Sequence, residues 1–390
     1  MKYLLIPTLV ITILLFADCG PELIVEGPCF GIEAAVAVNQ IQVIGSHNSY
    51  RKRTYEPLFI WVQGLSNFLP PEYNPDGWDY DHVPLVEQLN LYGLRSFELD
   101  IFYDPDGGQF YERKGLNFID EPIESGIPEL LEPGFKIIHI PDFDYETHHI
   151  TFKEALIELR DWSNSNTDHL PLFILVEPKE QTVESILPAL DLTPSIPYTP
   201  EAMDDLDAEI KDIFGENLDQ VITPDKLKGS FASVNEAALN GGWPSLAEAR
   251  GKFFFILDGK RDVYLDGHPG LDGRVMFVYS DPGNPETAFI IQNGPVGNEA
   301  NIRNLVTQGY MVRTRSDADT QEARTGNTER LEAAFESGAQ IISTDYYRAD
   351  PRADTSSVWT DYQVSFPEGR SARFNLVNTT SVEQNCGPLE

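Results

Sequence analysis

What most constrains this chain is a recurring unit: a short apolar run that ends in a polar or charged residue and is followed by helical periodicity. The runs read as strands are Ile41–Ser46, Ser96–Tyr103, Lys136–Ile140, Leu172–Glu177, Phe253–Asp258, Val275–Ser280, Tyr310–Arg315 and Gln340–Asp345. A ninth run, Ala288–Gln292, competes with the sixth. Helical periodicity lies between them at Pro84–Tyr92, Phe152–Ser163, Ala202–Phe214, Ser245–Arg250, Asn301–Gln308 and Thr328–Ser337. Alternating strands and helices imply an α/β fold with a parallel sheet, and eight such units imply a closed (β/α)8 barrel of the TIM type. An open doubly wound sheet is the competing architecture. It would place a glycine fingerprint after the first strand, where this chain has His47-Asn48-Ser49-Tyr50. Two connections, Arg51–Arg95 and Pro178–Lys252, are too long to be structureless in a compact domain and are expected to carry structure or line a site.

The start of the chain reads as an export signal over residues 1–19. Met1-Lys2 is a short basic start, and Leu4 to Phe16 is an apolar run too short to span a bilayer. Cys19 sits where a lipoprotein signal would be cleaved, although Asp18 before it is not the small residue such a signal prefers. The product is therefore either secreted or held at the cell envelope as a lipoprotein. Residues 20–38 form an N-terminal segment and residues 39–390 the catalytic barrel. Cys29 and Cys386 remain after processing; an oxidising compartment and the proximity of chain ends in a closed barrel suggest a disulfide, and two unpaired thiols are the alternative.

Sixty-two acidic against 28 basic side chains give a net charge of −34. Such a surface lacks the basic footprint that nucleic acid requires and disfavours tight, unaided binding to anionic membranes. The barrel is expected to act as a monomer that touches a membrane surface transiently.

In a barrel, residues at the C-terminal ends of strands converge on one mouth, which is where catalysis sits. The first strand is followed there by His47 and Asn48, and the second carries Glu98 and Asp100. The third ends at His139 and the fourth at Glu177. Taken singly, each has an ordinary structural explanation. Together, three carboxylates and an amide oxygen on neighbouring strands would repel one another unless a cation lay between them. An all-oxygen set without cysteine suits calcium or magnesium rather than zinc. The two histidines then flank that cation, where acid–base work is needed. Asp104-Pro105-Asp106-Gly107-Gly108 looks like the start of a calcium loop, but the glutamate position is occupied by Gly115, so it reads as a turn. His148 and His149 read as surface or capping residues, and His82, His169 and His268 receive no role.

These residues resemble the exported, calcium-dependent phosphoinositide-specific phospholipases C of bacteria and fungi. The matching stretches are Asn39–Tyr50, Pro84–Asp100, Trp162–Glu177, Asn240–Gly259, Gly309–Asp319 and Ser337–Tyr347, nearly the whole mature chain. The resemblance implies a PLC-like phosphodiesterase barrel with catalytic His47 and His139. It implies Ca2+ ligands Asn48, Glu98, Asp100 and Glu177, with Glu98 or Glu177 also taking a proton. Lys179, Lys260, Arg313 and Arg315 are the candidates for meeting the phosphate or inositol hydroxyls. The implied reaction cleaves a phosphatidylinositol-type lipid to diacylglycerol and a cyclic or hydrolysed inositol phosphate. Two other readings compete: a glycerophosphodiester phosphodiesterase on the same barrel, and an inactive calcium- or lipid-binding surface protein. The first typically has Arg-Gly after its first histidine, where this chain has Asn48-Ser49; the second would be expected to have lost a histidine, and both are present.

Overall fold

A computed structural model describes residues 29, 31–68, 74–386 and 389. The export signal, Cys19 and the Pro70-Pro71 pair lie outside the described residues. Ten strands form one sheet: β1 (Ile41–Ser46), β2 (Ser96–Asp104), β3 (Gly134–Ile137), β4 (Leu172–Pro178), β5 (Phe253–Leu257), β6 (Phe277–Val278), β7 (Phe289–Ile291), β8 (Met311–Arg315), β9 (Ile341–Thr344) and β10 (Ala372–Phe374). The order β6-β5-β4-β2-β1-β9-β8-β7 is parallel throughout. A single parallel bridge between Tyr279 and Phe289 closes the gap from β6 to β7, which makes the eight-stranded ring a nearly closed barrel.

Two expectations need correction. The run expected as the third barrel strand forms β3, which pairs antiparallel with β2 outside the ring, Ile137 opposite Ile101 and Gly134 opposite Asp104. The ninth run, read as a competitor of the sixth, is itself barrel strand β7. Both errors have one cause: a short apolar run does not encode its partner, because strand pairing is non-local.

The expected helices form with shifts of a few residues at their ends. The helix Phe152–Ser165 starts with a capping box in which Thr151 Oγ1 accepts from Glu154 N at 3.1 Å. Its Phe152, Ala155, Leu156 and Leu159 then fall on one buried stripe against the sheet. Both long connections carry helices, among them Glu56–Gln63 and Leu85–Tyr92 in the first and Pro200–Phe214 in the second. Gly45 of β1 lies so close to Ser96 that an added Cβ would sit 2.4 Å from the Ser96 Cβ, so only glycine lets β1 and β2 approach here.

β10 runs antiparallel to the first half of β1, bringing the C-terminal segment to the face opposite the strand C-termini. There Cys29 and Cys386 are joined in a disulfide with Cα atoms 5.2 Å apart. Among the described residues no helix is long and apolar enough to cross a membrane.

Candidate active site

Period-two alternation builds the mouth of the barrel. Interior apolar side chains are followed, two residues further on, by polar ones at the strand C-termini. On β1, Val43 leads through Gly45 to His47; on β5, Phe254 and Ile256 lead to Asp258; on β9, Ile341 leads to Ser343 and Asp345. On β2, Phe97, Leu99 and Ile101 face the helices, which turns Glu98 and Asp100 into the barrel.

The register places Asp100 beside Glu177. Glu98, Asp100 and Glu177 each offer a carboxylate oxygen within 4.8 Å of the others. Burial pushes the Asp100 carboxyl well above its ordinary value; Lys179 opposes that, and Glu177 and Glu98 reinforce it. Among the described residues neither Asp100 oxygen has a hydrogen-bond partner of good geometry; the Lys179 ammonium forms an ion pair with one of them at 3.4 Å and donates to Glu177 Oε1 at 3.1 Å. Asn48 completes the set. Its backbone is held at φ 46°, its Nδ2 donates to Tyr80 Oη at 3.2 Å, and its Oδ1 is buried with no partner among the described residues. Orphaned buried oxygens on Asn48 and Asp100 and three converging carboxylates fit a hard divalent cation, which would remove both the repulsion and the missing partners.

Both sequence-predicted histidines reach this mouth. His47 Nδ1 lies 2.8 Å from Asp345 Oδ1, Arg315 donates towards its Nε2 at 3.3 Å, and Glu98 Oε1 is 3.8 Å from the same nitrogen. Burial alone would raise the Asp345 carboxyl, but His47 and Arg315 outweigh it and hold it well below the usual carboxylate range. His82 Nε2 donates to the His47 carbonyl at 2.7 Å, fixing the backbone. His139 comes from outside the ring, two residues after β3, and the charge of Lys179, which pairs with Asp100 and Glu177, acts on it. Its Nδ1 lies 2.6 Å from Asp144 Oδ2, and Arg51 and Thr54 hold both oxygens of that carboxylate. Trp78 sets its edge against the imidazole, ring centres 6.3 Å apart.

Burial lowers His139 and His82 to about 4, so both rest as neutral imidazoles. The unfolded chain binds their protons near the ordinary histidine value while the folded chain does not. Stability is therefore present above about pH 6.5 and is lost as pH falls towards 4, at up to roughly 3 kcal/mol per histidine. Thermal melts in this window should show a falling Tm on acidification that is shallower in His82→Gln. A Tm flat between pH 7 and 4.5 contradicts this burial.

The basic residues are less free than the sequence suggests. Arg313 is buried and spans Glu98 Oε2, Asn293 Oδ1 and Ser343 Oγ. Arg315 is committed to Asp345 and His47. Lys260 pairs with Glu180 at the rim rather than with the carboxylate cluster. Two of the four touch the carboxylate cluster, Arg313 at Glu98 and Lys179 at Asp100 and Glu177. His148 and His149, expected at the surface or as caps, are partly or fully buried: His149 pairs with Glu158, and His148 Nε2 donates to the His82 carbonyl at 2.9 Å. The turn reading of Asp104–Gly108 holds, with Gly107 and Gly108 both at positive φ.

Sequence reasoning missed Asp144, Tyr80, Asp345, Asp258 and Tyr279. Asp345 and Asp258 end expected strands, the same signal that found His47; Asp144 and Tyr80 come from loops and carry none.

The family model for Ca2+-dependent phosphoinositide phospholipase C matches residues 36–376. The chain belongs to this family. As a phospholipase C of this kind it is a phosphoric diester hydrolase that acts on phosphoinositide lipid, with Ca2+ as cofactor. No curated protein sequence matches the chain. Among solved structures, a calcium-dependent phosphoinositol-specific phospholipase C from Pseudomonas sp is similar, with 12% identity, a TM-score of 0.51 and coverage of 88% of this chain and 96% of the other. A Ca2+-dependent phosphatidylinositol-specific phospholipase C from Streptomyces antibioticus shows 16% identity and a TM-score of 0.46 over 84% of this chain and 100% of the other. A glycerophosphoryl diester phosphodiesterase from Parabacteroides distasonis shows 14% identity and a TM-score of 0.31 over 88% and 95%.

Proposed function

We propose that Asn48, Glu98, Asp100 and Glu177 hold the calcium of this phospholipase and that His47 and His139 work on opposite sides of the substrate phosphorus. The observation that carries this reading is the set of orphaned, buried oxygens on Asn48 and Asp100 beside two further carboxylates. Calcium bound there supplies charge neutralisation at the phosphate and a lowered pKa for the inositol 2-hydroxyl. Each has one oxygen paired, Glu98 with Arg313 and Glu177 with Lys179, but Glu98 is buried and Glu177 half-buried, so Glu177 is the carboxylate that takes the hydroxyl proton. His47, oriented by Asp345, donates to the non-bridging phosphate oxygens as charge builds on phosphorus. His139, oriented by Asp144, gives a proton to the departing diacylglycerol oxygen. The resting imidazole takes up that proton when the phosphodiester anion arrives, since an adjacent negative charge favours the imidazolium.

Intramolecular attack is fast because the nucleophile is already in place. Phosphatidylinositol supplies such a hydroxyl and phosphatidylcholine does not, so the product is diacylglycerol with an inositol phosphate that is at least transiently cyclic. The Cys29–Cys386 disulfide supports export to an oxidising compartment. The acidic chain supports brief rather than tight contact with anionic membrane, by a monomer. Phosphorus NMR of reactions with phosphatidylinositol, glycerophosphoinositol and glycerophosphocholine tests the substrate class. Cleavage of the intact lipid with a cyclic phosphate signal is expected; consumption of the deacylated diesters alone contradicts it.

A further inference from the structure

Behind the His47–Asp345 pair lies a second carboxylate, Asp317, two residues past the end of β8 and fully buried, so no ligand reaches it. Its Oδ1 accepts from the backbone N–H of Asp345 at 2.8 Å. Its Oδ2 accepts from the Ser316 hydroxyl at 3.1 Å and from the Thr344 hydroxyl. Thr344 Oγ1 in turn accepts from Tyr346 N at 2.8 Å, and the Thr344 carbonyl accepts from His47 N at 3.0 Å. One carboxylate thus ties down the end of β9 and the turn after it, and that turn is bonded to the backbone of His47. Asp345 is held from three directions: Oδ1 by His47, Oδ2 by Arg315 at 3.0 Å, and its main chain by Asp317. Among the described residues no cation pairs with Asp317. Arg315 opposes the rise that burial and Asp345 impose on its carboxyl, but the bond from Arg315 goes to Asp345. A buried carboxylate without a counter-ion costs free energy, so an apolar side chain would fill this space at less cost.

We propose that Asp317 is a positioning residue, which fixes the Asp345 carboxylate and with it the direction in which the His47 imidazole faces the phosphorus. This deepens the reading of His47 given above and rests on it. The effect runs through hydrogen-bond acceptance rather than charge. An amide of the same shape still accepts from Asp345 N, and its NH2 donates to the Thr344 and Ser316 oxygens. A methyl group does neither, and leaves a buried N–H and two hydroxyls without their partner. Asp345 is then free to shift and the imidazole to turn with it. The calcium ligands stay in place, because Asn48, Glu98, Asp100 and Glu177 are braced by Tyr80, Arg313 and Lys179 rather than by this turn.

The test uses the full chain with calcium and phosphatidylinositol and compares Asp317→Ala and Asp317→Asn with the unaltered enzyme. In Asp317→Ala, kcat should fall by roughly 10–100-fold, the scale of a misplacement of about 1 Å, while KM and calcium half-saturation stay within a few-fold. Asp317→Asn should keep kcat within a few-fold of the parent. Two further readouts separate positioning from a general loosening of the fold. In a His47→Ala background, Asp317→Ala should cost less than about 3-fold, because a residue that acts through His47 has nothing left to position. The downfield proton of the His47 ring N–H that faces Asp345, recognised by its absence from His47→Ala, should move or vanish in Asp317→Ala and return in Asp317→Asn. The full loss repeated in the His47→Ala background overturns the proposal, and so does an unmoved ring signal in Asp317→Ala. A loss in Asp317→Asn as large as in Asp317→Ala overturns it as well, by making the charge and not the acceptor what matters. Near-normal turnover in His47→Ala defeats instead the reading of His47 on which the proposal rests, and the ring signal tells the two failures apart. Thr344→Val keeps the volume and removes one hydroxyl bonded to Asp317, so it carries the same cycle if Asp317→Ala fails to fold, with an expected loss of roughly 3–10-fold.

Discussion

His139→Ala is expected to lower kcat by roughly 10²–10⁴-fold while the melting temperature at pH 8 stays close to that of the parent. The imidazole touches the fold through Asp144, and that carboxylate keeps Arg51 and Thr54 when the ring is removed. What is lost is the proton for the departing oxygen. A substrate whose leaving group needs no proton, such as a nitrophenyl ester of inositol phosphate, should therefore recover much of the rate in His139→Ala and little in His47→Ala. That contrast separates the two roles, which a simple loss of activity in both variants does not. His47→Ala should fall by a similar factor on the lipid, because it removes a donor aimed at charge that develops on the phosphate. His149→Gln is the comparison: its partner is Glu158, away from the carboxylates, so stability should drop and kcat should not. Near-normal turnover in either His47→Ala or His139→Ala removes that residue from the mechanism.

Removal of calcium should abolish activity, and calcium should restore it better than magnesium. The donor set is irregular, with Asn48 on a turn, Glu98 and Asp100 two residues apart on β2 and Glu177 on β4, and calcium tolerates such a shell where magnesium demands a near-ideal octahedron. Asp100→Asn should cost the most among the ligands. It is the most deeply placed of the carboxylates, and losing one anionic oxygen leaves the rest of the set in place but weakens its hold on the ion. The calcium concentration for half-maximal rate should rise by at least about 10-fold in that variant, in line with the cost of losing one charged partner. Full activity in a chelator-stripped sample contradicts the metal assignment altogether.

How much of this was legible beforehand follows from which signals are local. Glu98, Asp100 and Glu177 could be read because a strand has a period of two and a barrel gathers strand ends, so position alone implied convergence. The same rule reaches Asp258 and Asp345, but each lacks the repetition that makes Glu98 and Asp100 stand out. The helix Leu85–Tyr92 was legible from its apolar spacing, and so was Phe152–Ser165. β3 was not, since an apolar run looks alike whether it joins the ring or lies against its edge. Asp144 and Tyr80 were hidden for a different reason: they approach His139 and Asn48 from loops, where contacts follow from tertiary packing that no periodicity encodes. The commitment of Arg313 to Glu98 is of the same kind, joining β8 to β2 across the barrel.

A crystal grown with calcium and measured for anomalous scattering tests the central claim most directly. The account predicts a peak ringed by Asn48 Oδ1, Glu98, Asp100 and Glu177 at about 2.3–2.6 Å, typical calcium–oxygen distances, with the Lys179 ammonium moved off the carboxylates that it approaches at 3.1 and 3.4 Å. A calcium peak only on the acidic exterior, with Lys179 still between Asp100 and Glu177, would contradict it.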